Sequence, residues 1–298
     1  MTWLRKTAKR IVHTTPGGYR AYRLLTTGRS MKRRNIDGFS MHFDINDGGI
    51  GRVLFMHGAR EQAFMHLLNT EVEPGMIAAD IGANIGYTTL YMCKGVGRRG
   101  HVFAFEPDPH NVAFLEKNIK ANRFTDMTSI EGIALSDKPG EAKFYVASAP
   151  NLNSMTRSDR TVSEIDITTE SLTSFFGRHN LVPNFLKMDV EGHEVEILDG
   201  GFDLYKNTSQ KVRILLEMHQ DTYSEGHSLA GQIERYVGIG FHVKYVVSTP
   251  VARPKLFAEM GYSPEMTIPA GGRVRGIYRD IPNEDAIRLA CFPHRETT

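Results

Sequence analysis

The chain has 298 residues, 41% of them hydrophobic, and a net charge of +2, enough apolar material for one large α/β core with extensions. Its two cysteines, Cys93 and Cys291, lie far apart and outside any Cys-x-x-Cys or Cys/His grouping, which excludes a disulfide framework and a thiolate zinc site and suits a reducing cytosol. No apolar run approaches the roughly 20 residues of a bilayer span and no signal-peptide core is seen, so a cytoplasmic protein, soluble or peripheral at a membrane, is expected.

Residues 1–34 hold ten Lys/Arg and no acid, leaving 26 bases against 34 acids, a net of −8, in the remainder. Leu4, Ala8, Ile11 and Val12 recur at helical spacing between the cations, so residues 1–40 read as a basic extension. It is either a short amphipathic helix for an anionic membrane, a polyanion or a partner, or a solvated terminus. Met41 to Asp47 alternates apolar and polar residues, and Asp47-Gly48-Gly49 supplies turn chemistry before Ile50 to Met56, which predicts a hairpin. Ala59 to Val72 reads as an amphipathic helix that stops at Glu73-Pro74-Gly75. Residues 41–75 thus lead into a core expected over 76–282.

Met76 to Asp108 reads as one binding device. A short apolar strand ends in Asp80, and Ile81-Gly82-Ala83-Asn84-Ile85-Gly86 follows, with Gly82 and Gly86 bracketing a turn where a missing Cβ lets the backbone bend and approach a ligand. A helix over Ile85 to Lys94 then begins with free N–H groups suited to a carboxylate. The strand Val102 to Phe105 delivers Glu106, 20 positions past Gly86, with Pro107 behind it. That is close to the separation of about 20 residues at which a Rossmann-like unit places its ribose-binding acid. The loop lacks G-x-G-x-x-G, so a dinucleotide pyrophosphate is not encoded, and the nearby acids Asp80 and Glu106 favour a sulfonium cation. S-adenosylmethionine is therefore the expected cofactor, with Asp80, Gly82, Ala83, Asn84, Gly86, Glu106 and Pro107 as its candidate contacts; NAD is the weaker reading.

Downstream, helices and strands alternate. His110 to Ala121 reads as a helix, Thr128 to Leu135 as the third strand, and Ala142 to Ala147 as an extra strand before a polar loop, 148–163. Thr168 to Phe176 looks helical, Phe185 to Val190 is the fourth strand, and Glu194 to Leu198 starts a helix ended by Gly200-Gly201. Val212 to Met218 is the fifth strand, Leu229 to Val237 a helix, and Phe241 to Val247 the sixth strand. Residues 249–272, with four prolines, read as an irregular acceptor-side insertion, Val274 to Tyr278 as a last strand, and 283–298 as a tail. Such alternation argues a doubly wound, mostly parallel sheet.

Three blocks resemble the FkbM family of S-adenosylmethionine-dependent methyltransferases: Asp80 to Gly86, Ala134-Leu135-Ser136-Asp137, and Leu186-Lys187-Met188-Asp189-Val190-Glu191-Gly192-His193-Glu194; Leu216-Glu217-Met218-His219 also fits. The resemblance spans about Asp80 to His219, with Met188 where the family commonly has isoleucine. It implies the class I methyltransferase fold, a Rossmann-like α/β sheet that is mostly parallel with one antiparallel strand, and a reaction that usually methylates a hydroxyl of a sugar, glycolipid or secondary metabolite. A hydroxyl is a poor nucleophile until its proton leaves, and a positioned His or carboxylate contributes typically about 10²–10⁴-fold. Asp189 ends the fourth strand where the crevice should open and is expected as base or acceptor-orienting group, with His219 and Glu191 beside it. Asp137 is placed near the adenine edge or in a plain turn. No metal is expected, since no ligand spacing is diagnostic. The expected partner is a small-molecule or glycan acceptor, with an anionic membrane surface as a further expectation for residues 1–34; nucleic acid is disfavoured. An RNA or protein methyltransferase and a non-catalytic adenosyl-binding module are the rival readings.

Overall fold

The computed structural model describes residues 31–45, 49–147, 152–249, 254–270 and 273–291, so most of the basic extension lies outside the described residues. The chain enters through a hairpin of β1 (Met31–Ile36) and β2 (Phe39–Asp44). Asp37 and Gly38, both at positive φ, make its two-residue turn, the backbone a tight hairpin requires. The expected hairpin thus lies upstream of 41–56, and its second strand is instead helix α1 (Ile50–His57). Leu54 is buried one turn after Ile50, and Gly58, in the left-handed region, donates to the Leu54 carbonyl to close the helix. Helix α2 (Gln62–Glu71) follows.

Five parallel strands form the central sheet, in the order β10 (Arg213–Leu216), β9 (Phe185–Met188), β3 (Ile77–Ile81), β4 (His101–Phe105), β5 (Thr128–Glu131). Alternate residues feed two cores: Ala79, Ile81, Phe103, Phe105, Leu186 and Met188 on one face, Ala78, Val102, Ala104 and Phe185 on the other. Burial on both faces is why these strands read as apolar runs rather than alternating ones. Helices α3 (Tyr87–Val96) and α4 (Pro109–Ala121) pack with the second core. The chain moves outward from β3 through β4 to β5, then returns to β9 on the other side of β3. The strand order therefore reverses between β3 and β9, and at such a switch point the diverging connections open a crevice beyond the carboxyl ends.

The expected third strand breaks at Gly132-Ile133. Its second half becomes β6 (Ala134–Ser136) in a separate sheet, ordered β6-β8-β7, with β7 (Gly140–Ala147) antiparallel to β8 (Thr161–Ser171). Helix α5 (Leu172–His179) starts later than the expected Thr168, because 161–171 alternates in a β-branched pattern and pairs with β7 and, at its end, with β6; Ser171 Oγ then caps the helix by accepting from the Ser174 N–H at 3.0 Å. Helix α6 (Glu194–Tyr205) does not stop at Gly200-Gly201. These glycines admit neighbours, since a Cβ on Gly200 would lie 2.2 Å from the Ser136 carbonyl oxygen.

Helix α7 (Leu229–Val237) precedes a third sheet, in which β13 (Arg273–Arg279) pairs antiparallel with both β11 (Tyr245–Val247) and β12 (Met266–Ala270). The one antiparallel strand expected in the main sheet is not part of it: the five central strands are all parallel, and antiparallel pairs lie in this sheet and in β6-β8-β7. The stretch 249–272 is correspondingly more regular than its prolines suggest, containing α8 (Pro254–Glu259) and β12. The expected tail opens as α9 (Asn283–Cys291), whose Ala286, Ile287, Leu289, Ala290 and Cys291 are buried in the core. Both cysteines are free, and among the described residues no helix is long and apolar enough to cross a membrane.

Candidate active site

The crevice at the switch point is built around a contact that only glycine permits. Gly82 has φ +76°, and a Cβ there would lie 2.0 Å from the Asp189 carbonyl oxygen. The two loops leaving β3 and β9 thus touch backbone to backbone, with the Asp189 N–H donating to the Ile81 carbonyl at 3.2 Å. Beneath them Asp80 and Lys187, on neighbouring strands and almost wholly buried, form an ion pair at 3.1 Å. Lys187 Nζ also donates to the Gly82 carbonyl at 2.9 Å, while Asp80 accepts from the hydroxyls of Thr88 and Thr89 at 2.9 and 2.6 Å. Asp80 is therefore a structural anchor for the turn and the start of α3, not a wall of the cleft as expected.

Gly82, Ala83, Asn84, Glu106 and Pro107 line the cleft, together with Arg60, Tyr87, Thr88 and Lys187 on one side and Ile133, Ala134, Leu135 and Phe144 on the other. Glu106 is 4% exposed. Its carboxylate accepts from the N–H groups of Asn84 (2.8 Å) and Asp108 (2.9 Å) and from Asn111 Nδ2 (3.3 Å). Burial, reinforced by Asp108, nevertheless pushes its pKa up to about 7. A glycine turn lining the cleft, a buried carboxylate at the next strand end and an apolar wall fit an amino-acid tail, a ribose and a base. Gly82 to Asn84 would hold the tail, Glu106 the ribose, and Ile133 to Leu135 with Phe144 the adenine.

Two expected contacts lie away from this cleft. Gly86, at φ +89°, caps α3 and packs on Leu115, whose Cδ1 a Cβ would approach to 2.7 Å. The partly exposed Asp137 accepts from Ser136 Oγ at 3.0 Å and faces Lys138 at 3.7 Å, leaving the apolar wall to the residues just before it.

Asp189, Glu191 and His219 do converge. His219, just past β10, places Nε2 3.8 Å from Asp189 Oδ1 and 3.5 Å from Glu191 Oε2, while its Nδ1 is 2.8 Å from Glu194 Oε1. The sharp turn that aims Glu191 uses two residues at positive φ, Glu191 and Gly192. Burial alone would lower the His219 pKa, but the Glu194 hydrogen bond and the charges of Glu194, Glu191 and Asp189 raise it to about 9. Burial raises Glu191 to about 7, opposed by His219 and helped by Asp189. Glu217 is pushed to about 8 by burial and by Asp189 and Glu61. His193 instead bridges Ser136 Oγ at 3.0 Å and Glu196 at 3.3 Å, and burial lowers its pKa. Oxygen and nitrogen atoms of Asp189, Glu191 and His219 lie within 4.8 Å of one another, as do those of Glu61, Asp189 and Glu217, donor types that suit a divalent ion.

A second cavity, of about 1280 Å³, meets the cleft at Glu61 and Glu191 and is bordered by His219, Glu217 and loop residues Leu152 to Arg160. The loop expected near the site is there. From the stretch 249–272, however, only Thr249 among the described residues reaches the cavity, because α8 and β12 are taken up elsewhere. Arg60, Glu61, Asn153, Glu194 and Tyr223 were not singled out for this site by sequence reasoning. Arg60 and Glu61 sit between two helices with no motif, and Asn153, in a loop, is held at the cleft by bonds to Asp108 Oδ2 at 2.9 Å and from the Ala147 N–H at 2.9 Å. Glu194 did carry a signal, as the acid beside a predicted histidine cluster, but its position at a helix start also fits a dipole partner.

The profile of the Methyltransferase FkbM domain matches residues 80–262. The hexuronic acid methyltransferase AglP of Haloferax volcanii is 30% identical over 200 residues, 65% of this chain and 78% of that protein. Methyltransferase 1 of Beauveria bassiana is 26% identical over 144 residues, 41% of this chain and 56% of the relative. Among solved structures, a precorrin 8W decarboxylase from Methanobacterium thermoautotrophicum superimposes with a TM-score of 0.40 at 14% identity, covering 75% of this chain and 91% of that one.

Proposed function

The chain belongs to the FkbM methyltransferase family and uses S-adenosylmethionine, and on that premise we propose that it methylates a hydroxyl group on a sugar or sugar-bearing acceptor. The observation that carries this reading is the meeting of Asp189 and Glu191, which line the cleft, with His219, which borders the adjoining cavity. In that cleft the cofactor supplies an electrophilic methyl group on a cationic sulfur. The chain's own residues hold the acceptor and its proton. Asp189 and Glu191 are placed to accept hydrogen bonds from acceptor hydroxyls, and His219 Nε2, facing both, is within reach of a proton that must leave. A base at that point contributes typically about 10²–10⁴-fold, and orientation of the oxygen adds to it.

Sugar acceptors are supported by the Haloferax relative, whose name is that of a hexuronic acid methyltransferase. Incubating the protein with isotopically labelled methyl donor and separate panels of neutral sugars, hexuronic acids, glycolipids, RNA and protein tests the reading. A labelled methyl ether on a sugar is expected; label only on RNA or protein overturns it. Peripheral membrane association through residues 1–34 remains part of the proposal, because ten cations there have no acidic neighbours in sequence. Flotation with anionic liposomes should retain the full chain and lose one lacking residues 1–30, a truncation that stops short of β1.

A further inference from the structure

Within the proposed hydroxyl methylation, on which this inference rests, the candidate proton acceptors are not equivalent. Glu194 is fully buried, 0% exposed, at the first position of α6. Its two carboxylate oxygens are divided between two partners: Oε1 meets His219 Nδ1 at 2.8 Å, and Oε2 accepts from the Tyr223 hydroxyl at 2.9 Å. The Tyr223 oxygen in turn accepts from the His219 backbone N–H at 3.0 Å. A closed ring of contacts thus joins α6, the segment after β10 and the imidazole. An ionised carboxylate can only accept, so Nδ1 must carry a hydrogen. When the ring is neutral, the lone pair is then on Nε2, the atom that faces Asp189 and Glu191.

We propose that Glu194 is a positioning residue that holds His219 in the Nδ1–H tautomer, and that His219 Nε2, rather than Asp189, takes the acceptor's proton. The transfer is balanced within these groups. The acceptor O–H bond breaks, its electron pair stays on oxygen as the nucleophile, and the Nε2 lone pair forms the new N–H bond. The resulting imidazolium lies against a fully buried carboxylate that cannot escape to solvent, so charge separation is stabilised where it develops. Asp189 and Glu191, 3.8 and 3.5 Å from Nε2, then orient the hydroxyl. The other groups facing the ring agree with this division. Glu217 resists ionisation because it is buried, and the nearby Tyr223 hydroxyl and Cys291 thiol are held neutral by burial. Arg60 donates to Glu61, and its charge favours the ionised forms of Glu217 and Glu191. Glu194 is thus the buried anion bonded to the ring. Only the neutral ring, with its Nδ1–H on Glu194, offers an Nε2 lone pair to the acceptor's proton.

The test compares the full-length protein with Glu194→Gln, Tyr223→Phe, Asp189→Asn and His219→Gln, reading turnover against pH together with the ¹⁵N resonances of His219. Wild type should show Nδ1–H with Nε2 unprotonated at high pH. In Glu194→Gln the titration and the rise in turnover should both move to lower pH, with plateau turnover down by roughly 10²-fold or more. The affinity for S-adenosylhomocysteine by calorimetry should be unchanged. Tyr223→Phe should shift both in the same direction but less, and it keeps the test open if the buried glutamine impairs folding. A wild-type His219 in the Nε2–H tautomer, or a Glu194→Gln titration that overlays wild type, overturns the proposal. So does an alkaline rise that vanishes in Asp189→Asn while surviving in His219→Gln. If no hydroxylated acceptor turns over, the functional reading fails, but the nitrogen resonances still decide whether Glu194 sets the tautomer.

Discussion

Replacing Asp80 by Asn should destabilise the protein by about 3–5 kcal/mol, because it leaves the Lys187 ammonium buried without its counter-charge. The magnitude follows from the geometry: Asp80 is 0% and Lys187 2% exposed, so solvent cannot screen the orphaned charge. The Thr88 and Thr89 hydroxyls can still bond to the asparagine carbonyl, and Lys187 keeps the Gly82 carbonyl at 2.9 Å; the loss is therefore one of charge rather than of hydrogen-bond count. At an m-value of about 3 kcal/mol/M, the urea midpoint should fall by about 1–1.7 M. Asp80→Asn combined with Lys187→Met should recover part of that loss, since both charges are then gone. S-adenosylhomocysteine binding, measured by calorimetry on the folded variants, should weaken in the single variant and partly return in the double. A single variant within about 1 kcal/mol of wild type that nevertheless loses binding would refute the reasoning and make Asp80 a direct ligand contact.

Glu106 holds its proton up to about pH 7 because it is buried beside Asp108, and its neutral form is a poorer acceptor for two ribose hydroxyls. Affinity for S-adenosylhomocysteine should therefore fall as pH drops through about 7, in a titration that Glu106→Gln abolishes; a flat profile in wild type sinks the assignment. The same raised pKa means that Glu106 favours folding fully below its ordinary value of 4.5, and that this contribution is lost as pH rises through about 7. Gly200→Ala should lower the thermal midpoint although alanine is the better helix former by about 1 kcal/mol. The added carbon meets a backbone oxygen at 2.2 Å, and a raised midpoint would show that α6 can move away. Arg60→Gln should weaken S-adenosylhomocysteine more than methylthioadenosine, which lacks the amino-acid tail, because Arg60 lines the cleft beside Tyr87 and Thr88; equal losses would remove Arg60 from the tail's recognition.

Elements buried on both faces were legible in the sequence because their apolar runs have one explanation. Ile77 to Ile81, Val102 to Phe105 and Phe185 to Met188 are strands of the central sheet as read. Short amphipathic pieces were not. Ile50 to Met56 has too few residues to separate a strand period from a helical one, and only packing against the first hairpin decides it. Thr168 to Ser171 looked like a helix start until its pairing with β7 and β6 claimed it. Gly200-Gly201 was read as a stop, though it serves close approach by β6 and α5, a reason that exists only once those elements are adjacent.

By itself the order of residues determined the parallel core, the glycine turn after β3 and the acid after β4, because each is a local pattern whose physics is complete within about thirty residues. Tertiary structure decided which polar groups face the cleft. Asp80 and Gly86 belong to the same motif as Gly82, and Asp137 to a block of its own, yet their side chains or backbone are consumed by Lys187, Leu115 and Ser136. Glu194, Arg60 and Asn153 enter from segments up to about a hundred positions away. A site assembled from several strand ends is set by which loops meet in space, and spacing along the chain carries no record of that meeting.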